Sequence, residues 1–240
     1  MVVLTGAGVS AESGLPTFRG PDGLWRGRDP LALATPEAFA REPEAVWEFY
    51  SDRRAWLLAP DILPNAAHEA LAELEDALGD ALLLVTQNVD DLHQRAGSGH
   101  VRAIHGALLR TRCAACAHVF ADEEPFARGR RCPQCRRAAT LRPDVVWFGE
   151  VPHHLEEVYT AVSDCTHFAA IGTSGVVYPA AGLVELARSA GAQTVEINPV
   201  PSGNPAFSEV IAAPATVGVP AWCRRWRARC DEETGARGGT

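Results

Sequence analysis

The chain has 240 residues, of which 47% are hydrophobic, and its formal net charge is −8 at pH 7. This length can bury a full core as one large domain or as one domain with an insertion. The negative charge argues against nucleic-acid or anionic-membrane binding as the main function, and no apolar run approaches the roughly 18 residues of a membrane span. With no recognisable targeting segment or N-terminal extension, we expect a soluble, cytoplasmic protein. The sequence leaves the oligomeric state open, and a monomer is favoured.

A short apolar run, Val2-Val3-Leu4, predicts a first strand that leads into a glycine loop with the sequence GAGVSAESGLPTFRG at residues 6–20. Glycine permits positive φ and close approach of a pyrophosphate to the backbone, so the loop indicates a dinucleotide site. In a hydride-transferring dehydrogenase such a loop opens a long helix. Here Gly14 and Pro16 end any helix within about two turns, which makes a dehydrogenase the least favoured NAD-binding alternative.

The segment from Pro43 to Leu58 predicts a helix that carries an arginine, Arg53, on its apolar face. The face is formed by Val46, Phe49, Tyr50, Arg53, Trp56 and Leu57. Burial of an unpaired guanidinium is costly, so Arg53 requires an anion or a route to water. From the residues alone two explanations stay open: a bound acidic ligand, or a side chain that reaches solvent or a distant carboxylate of the fold.

Further along the chain, apolar runs alternate with helical patterns. The runs are 82–85, 167–171 and 194–197, and the helical patterns are 65–78, 153–162 and 179–190. This alternation predicts an α/β protein with a doubly wound parallel sheet. Polar clusters follow the runs at 86–90, 172–174 and 198–199. Because ligands bind at the carboxyl ends of such strands, these clusters are expected to converge on one crevice.

Four cysteines form two pairs with metal-binding spacing: Cys113, Cys116, Cys132 and Cys135. Two CxxC turns at this separation are typical of a zinc ribbon, whereas two disulfides are the alternative. Without a secretion signal, reduced thiolates on one zinc ion are favoured. Four thiolates leave no open coordination position, so the metal is expected to be structural.

Several of these motifs together resemble one family. These motifs are the glycine loop, TQNVDDLH at 86–93, IHG at 104–106, RPDVVWFGE at 142–150 and GTS at 172–174, together with Asn198 and the cysteine pairs. In their order, and over nearly the whole chain, they resemble the sirtuins. Sirtuins are NAD-dependent protein lysine deacylases. The resemblance implies a Rossmann-like doubly wound parallel sheet with a smaller zinc-ribbon and helical lobe. It implies one catalytic domain over 1–240, with an NAD-binding lobe of 1–20, 63–109 and 142–226. The residues themselves favour a small lobe of 21–62 and 110–141, and the polar composition of 227–240 predicts a frayed tail.

The resemblance also assigns site residues. It implies catalytic roles for His105 and Asn88, and peptide binding by Val146, Trp147, Phe148 and Gly149. The NAD contacts that it implies are Gly6, Ala7, Gly8, Ser10, Ala11, Glu12, Thr17, Phe18, Arg19, Trp25, Gln87, Asn88, Val89, Asp90, Gly172, Thr173, Ser174, Asn198, Pro199, Val200 and Ala215. Without the IHG motif, the sequence would favour a structural role for His105 in a turn.

The implied reaction joins the acyl oxygen to the ribose carbon of NAD as nicotinamide leaves, and His105 then acts as general base on a ribose hydroxyl. Tyr50 and Arg53 resemble the Tyr-x-x-Arg pair with which the desuccinylase branch binds an acyl carboxylate. We therefore expect removal of acetyl, succinyl and malonyl groups from lysine, with NAD as cosubstrate and acyl-lysine proteins or peptides as partners. The alternatives are a plain deacetylase, a mono-ADP-ribosyltransferase, and a non-catalytic NAD-sensing or zinc-ribbon interaction module.

Overall fold

The computed structural model describes residues 1–17, 29–173 and 180–237, with 229–237 as helical backbone. The strands are β1 Val2–Thr5, β2 Leu83–Thr86, β3 Val101–Ala103, β4 Gly106–Cys113, β5 Val119–Ala121, β6 Leu141–Val145, β7 His167–Ile171, β8 Gln193–Ile197 and β9 Glu209–Ile211. The α-helices are α1 Pro36–Arg41, α2 Pro43–Leu57, α3 Ala66–Leu78, α4 Leu92–Arg95, α5 Leu155–Asp164, α6 Leu183–Ser189 and α7 Ala215–Arg237. Short 3₁₀ turns cover Ala7–Val9, Ala11–Ser13, Pro30–Ala32, Gly79–Ala81 and Ala180–Gly182.

Six strands form the main sheet, in the order β3-β2-β1-β7-β8-β9, and all five pairings are parallel. One face packs against α3 and α7, with Leu71, Leu74 and Trp222 fully or almost fully buried. The other face packs against α5 and α6 through residues such as Val158 and Leu183. Helices on both faces of a parallel sheet confirm the doubly wound architecture.

A three-stranded antiparallel sheet, β5-β4-β6, forms the base of a second lobe. Pro143 is tolerated in β6 because this strand lies at the edge of the sheet. Helices α1 and α2 pack on this sheet, and Trp47 donates from Nε1 to the Leu141 carbonyl at 2.7 Å. The helical and cysteine segments thus share one core, and their sheet spans 106–145, beyond the predicted 110–141.

Helix α7 includes the stretch from residue 227 for which the sequence predicts a frayed tail. Its helical backbone continues to Arg237. Arginine, alanine and glutamate dominate this stretch and are good helix formers, which accounts for the continuation. Within the described part of the chain, no helix is long and apolar enough to cross a membrane.

Candidate active site and metal centre

The glycine loop crosses the end of β7 at close range. Gly6 N donates to Ile171 O at 3.0 Å, and Gly8 N donates to Gly172 O at 2.8 Å. A Cβ atom on Gly8 would lie 2.7 Å from Gly172 Cα, so no side chain fits between the two loops. Ala7 and Ala11 begin the two 3₁₀ turns that follow. The absence of side chains here lets the glycine loop and the loop after β7 meet backbone to backbone at the carboxyl edge of β1 and β7.

Ser10 is the centre of a polar network that joins three segments of the chain. Asn88 Nδ2 donates to Ser10 Oγ at 3.1 Å, and Ser10 Oγ donates to Asp90 Oδ2 at 3.1 Å. His68 Nε2 lies 3.4 Å from the same Oγ, and His68 Nδ1 accepts from Asn65 N. The proton of neutral His68 is therefore on Nε2, directed at Ser10. Burial lowers the pKa of His68 to about 4.

The sequence motifs do not identify His68 as a site residue. The sequence does indicate a local role for it, because Asn65 and His68 form a capping box at the start of α3. Nothing in the sequence indicates that the imidazole reaches Ser10, 58 positions away. His93 lies beside it, with ring centroids 4.8 Å apart, and contacts Thr5 Oγ1 at 3.0 Å.

Asp90 is a partly buried carboxylate at the end of β2. Burial raises its pKa to about 6, although hydrogen bonds from Ser10 Oγ and Leu92 N favour its charged form. The carboxylate can therefore change charge near neutral pH. Val89, next to it, accepts from Leu108 N at 2.7 Å and connects this loop to β4.

His105 lies between β3 and β4, with Nδ1 2.9 Å from the Gln87 carbonyl oxygen. A carbonyl only accepts, so Nδ1 carries the proton and Nε2 keeps its lone pair. Burial lowers the pKa of His105, which keeps the ring neutral at pH 7. Gly106 has φ +82° and its Cβ would lie 2.0 Å from Asp144 O, so only glycine fits after His105.

The polar clusters after β7 and β8 join the same edge. Gln87 Nε2 donates to Thr173 Oγ1 at 3.1 Å, and Asn198 Nδ2 donates to Thr173 O at 3.0 Å. Pro199 and Val200, next to Asn198, are exposed. The convergence of these loops agrees with the expectation from the strand pattern.

Glu12 and Ala215 meet at the start of α7. The Glu12 carboxylate accepts from Thr216 N at 3.0 Å and from Thr216 Oγ1 at 2.7 Å, while Ala215 is buried. In this arrangement Glu12 caps the helix N-terminus. Of the other expected NAD contacts, Thr17 ends a described range, and Phe18, Arg19, Trp25 and Ser174 lie outside the described residues.

The peptide segment predicted at 146–149 connects β6 to the site. Val146 N donates to His105 O at 2.9 Å, and Phe148 N donates to Ala34 O at 3.0 Å. Trp147 is buried, Phe148 is exposed and Gly149 has φ +86°. The segment therefore lies between His105 and the turn that precedes α1.

Tyr50 and Arg53 lie side by side on α2, above Trp147. Tyr50 is buried, and its hydroxyl oxygen accepts from Trp147 Nε1 at 2.9 Å. The guanidinium carbon of Arg53 lies 5.5 Å from the Tyr50 ring centroid. Within the described ranges Arg53 has no salt bridge. Burial lowers its pKa, whereas interactions with Tyr50 and Asp90 raise it.

The neighbouring Arg54 is the arginine that is fully buried. It donates five hydrogen bonds, to Asp122 Oδ2, Thr111 Oγ1 and the carbonyls of Leu108, Arg110 and Glu124. The Asp122 pair is 3.1 Å apart, and Arg54 also lies 4.0 Å from the Phe126 ring centroid. The helical pattern misses this residue because its carboxylate partner is 68 positions away.

The four cysteines predicted as metal ligands come together at the tip of the second lobe. Their sulfur atoms all lie within 4.8 Å of one another, and the Cys113–Cys135 and Cys116–Cys132 separations are both 3.7 Å. Zinc–sulfur bonds of about 2.3 Å in a tetrahedron give a sulfur–sulfur edge of roughly 3.8 Å, whereas a disulfide requires about 2.05 Å. The four thiolates are therefore positioned to bind one zinc ion.

Known proteins that are similar to this chain belong to one family. The Sir2 family model matches residues 6–179. The "NAD-dependent protein deacylase" of Pasteurella multocida (strain Pm70) is 51% identical over 92% of this chain and 94% of its own length. The protein of the same name from Escherichia coli (strain K12) is 52% identical over 92% of this chain and 79% of its own.

A solved structure, described as a Sir2 homolog–NAD complex, superimposes with a TM-score of 0.86 at 41% identity. The match covers 95% of this chain and 90% of that chain. The parallel sheet with its convergent loops and the cysteine-bearing second lobe are both consistent with the family model. The chain belongs to the Sir2 family.

Proposed function

We propose that the protein is an NAD-dependent protein lysine deacylase that removes acetyl and acidic acyl groups, such as succinyl and malonyl, and yields nicotinamide and O-acyl-ADP-ribose. It acts as a monomeric cytoplasmic enzyme on acyl-lysine proteins or peptides. Residues 1–240 form one catalytic domain in this proposal, with the NAD-binding and small lobes set out above. The relatives named as NAD-dependent protein deacylases support the activity.

The tautomer of His105 is the observation that carries the proposal. Its Nδ1–H is held by the Gln87 carbonyl at 2.9 Å, so Nε2 is left as a base. The same loop continues into Asn88 and Asp90, which bind Ser10 of the glycine loop. A neutral base next to a dinucleotide loop is what proton abstraction from a ribose hydroxyl requires.

NAD, when bound, supplies a ribose carbon that becomes strongly electrophilic as nicotinamide departs. The chain contributes binding, orientation and proton transfer around that carbon. Ser10, Asn88 and Asp90 form a connected network that can orient the ribose and nicotinamide by hydrogen bonds. Positioning of this kind can supply several kcal/mol of the barrier. His105 Nε2 then accepts the proton of the ribose hydroxyl that attacks the acyl carbon.

The preference for acidic acyl groups rests on Tyr50 and Arg53. The Tyr50 oxygen accepts from Trp147 Nε1, so its own hydrogen remains available to donate. Burial raises the pKa of Tyr50, which keeps that hydrogen at neutral pH. The Arg53 guanidinium adds several donors and a positive charge. The Tyr50 hydroxyl and the Arg53 guanidinium are adjacent donors, and within the described part of the chain Arg53 has no salt bridge, so the pair suits a carboxylate.

The proposal is tested by nicotinamide release from NAD with matched unmodified, acetyl and succinyl peptides. We expect release to require an acylated peptide, with the acyl group recovered on free ADP-ribose. Recovery of labelled ADP-ribose on protein would instead support a mono-ADP-ribosyltransferase. Turnover of acetyl but not succinyl peptide would leave a plain deacetylase, and NAD binding without release would leave a sensing module.

A further inference from the structure

Trp147 is held rigidly by groups that have no part in the proton chemistry. Glu150 accepts from Trp147 N at 2.8 Å, and the same carboxylate binds Arg142 at 2.6 and 2.8 Å. The Arg142 guanidinium carbon lies 3.4 Å from the Trp147 ring centroid. Phe39 packs on the ring at 5.5 Å between centroids. Both the backbone and the indole ring are therefore fixed.

The polar edge of this fixed ring meets the hydroxyl of Tyr50. Indole Nε1–H is a donor only, and it lies 2.9 Å from Tyr50 Oη. The tyrosine oxygen must then accept, which directs its own hydrogen away from Trp147. A guanidinium cannot accept, so Arg53 offers no acceptor for that hydrogen. Accepting a hydrogen bond also polarises the hydroxyl and makes it a stronger donor.

We infer that Trp147 is a positioning residue for acyl-group selectivity, whose indole N–H orients the Tyr50 hydroxyl hydrogen toward the carboxylate of an acidic acyl-lysine. This inference rests on the proposed function, because it needs an acidic acyl group as the acceptor. It assigns to Trp147 a role that acts through Tyr50, in addition to its place in the peptide segment. An acetyl group has no carboxylate to receive the hydrogen.

The test is a double-mutant cycle read as the ratio of kcat/KM for succinyl and acetyl forms of one peptide. Trp147→Phe keeps an aromatic ring but lacks the donor, and we expect the ratio to fall about three- to tenfold, mainly through a higher KM for the succinyl peptide. Tyr50→Phe should lower the ratio at least as far. In the Tyr50→Phe background, Trp147→Phe should change the ratio less than twofold, since its target hydroxyl is gone.

The matched control is Trp47→Phe, which also deletes a buried indole donor, but one that donates to Leu141 O and not to the Tyr50 hydroxyl. It should leave the ratio unchanged. If Trp147→Phe fails to fold, Trp147→Met replaces it in the cycle, because methionine fills irregular space without a donor.

Two results would overturn the inference while leaving the proposed function intact. One is equal loss of succinyl and acetyl turnover in Trp147→Phe, and the other is independent, additive losses in the double variant. A wild-type enzyme that does not remove succinyl groups would instead refute the acidic-acyl part of the proposed function, and the inference with it.

Discussion

Arg53 and Arg54 are adjacent in the chain but are expected to respond in opposite ways to the same substitution. Arg54→Met removes five hydrogen bonds, among them the ones to the carbonyls of Leu108 and Arg110. Thr111 still donates to Asp122 in the variant. Breaking a buried ion pair costs about 3–5 kcal/mol. Arg130 still binds Asp122 at 2.8 Å in the variant, so the lower half of this range applies.

Arg53→Met should behave differently because Arg53 is only partly buried and contacts the faces of Phe49 and Tyr50. Such contacts contribute roughly 0.5–1 kcal/mol. Hydrogen bonds to a charged group contribute about 1.5–3 kcal/mol each, so loss of the guanidinium should lower succinyl-lysine efficiency roughly tenfold to a few hundredfold. Acetyl-lysine efficiency should fall much less.

Urea and thermal unfolding measure the first effect, and peptide kinetics with both acyl groups measure the second. For a chain of this size, 1 kcal/mol corresponds to about 2–4 °C in Tm, so a loss of about 3–4 kcal/mol in Arg54→Met should lower Tm by roughly 6–16 °C. Arg53→Met should lose less than about 4 °C. Equal destabilisation by the two variants, or a loss of selectivity in Arg54→Met as large as that in Arg53→Met, would refute the assignment of their roles.

Three further predictions concern the metal and two titrating groups. Cys132→Ser should lose zinc and unfold at a much lower Tm than the wild type, because structural zinc contributes folding free energy directly. An unchanged Tm after exhaustive chelation would exclude a structural zinc ion. Burial lowers the pKa of His105, so kcat/KM should stay level as pH falls to 6.5 and decline only below it, and an inflection above pH 7 would contradict a neutral base. Burial raises the Asp90 pKa from 3.8 to about 6, so the folded state binds the extra proton between these values and its unfolding free energy falls as pH rises through them. Asp90→Asn should lack this fall, and equal slopes for the variant and the wild type in urea titrations would refute it.

The sequence predicts the features that depend on local pattern. The strand and helix alternation predicts the doubly wound sheet, and the cysteine spacing predicts a cluster whose four sulfur atoms all lie within 4.8 Å of one another. Polar residues after β2, β7 and β8 converge because parallel strands end at one edge. These rules need only the order of elements along the chain.

Pairings between distant segments could not be predicted in the same way. A helical pattern identifies the apolar face of α2 but not the partner of each polar residue on it. The contact between Arg54 and Asp122 depends on the packing of the second lobe, and the contact between His68 and Ser10 depends on the packing of α3 beside the glycine loop. The Trp147–Tyr50 hydrogen bond likewise joins residues 97 positions apart.

The central claim is that His105 serves as the base of an NAD-dependent deacylation. The most direct measurement compares wild type and His105→Ala for deacylated peptide and O-acyl-ADP-ribose, with NAD binding followed by calorimetry on the same samples. We expect the variant to bind NAD within a few fold of wild type and to form almost no product, because the base is lost while the Ser10, Asn88 and Asp90 network remains. Near-normal product formation by His105→Ala would contradict the account.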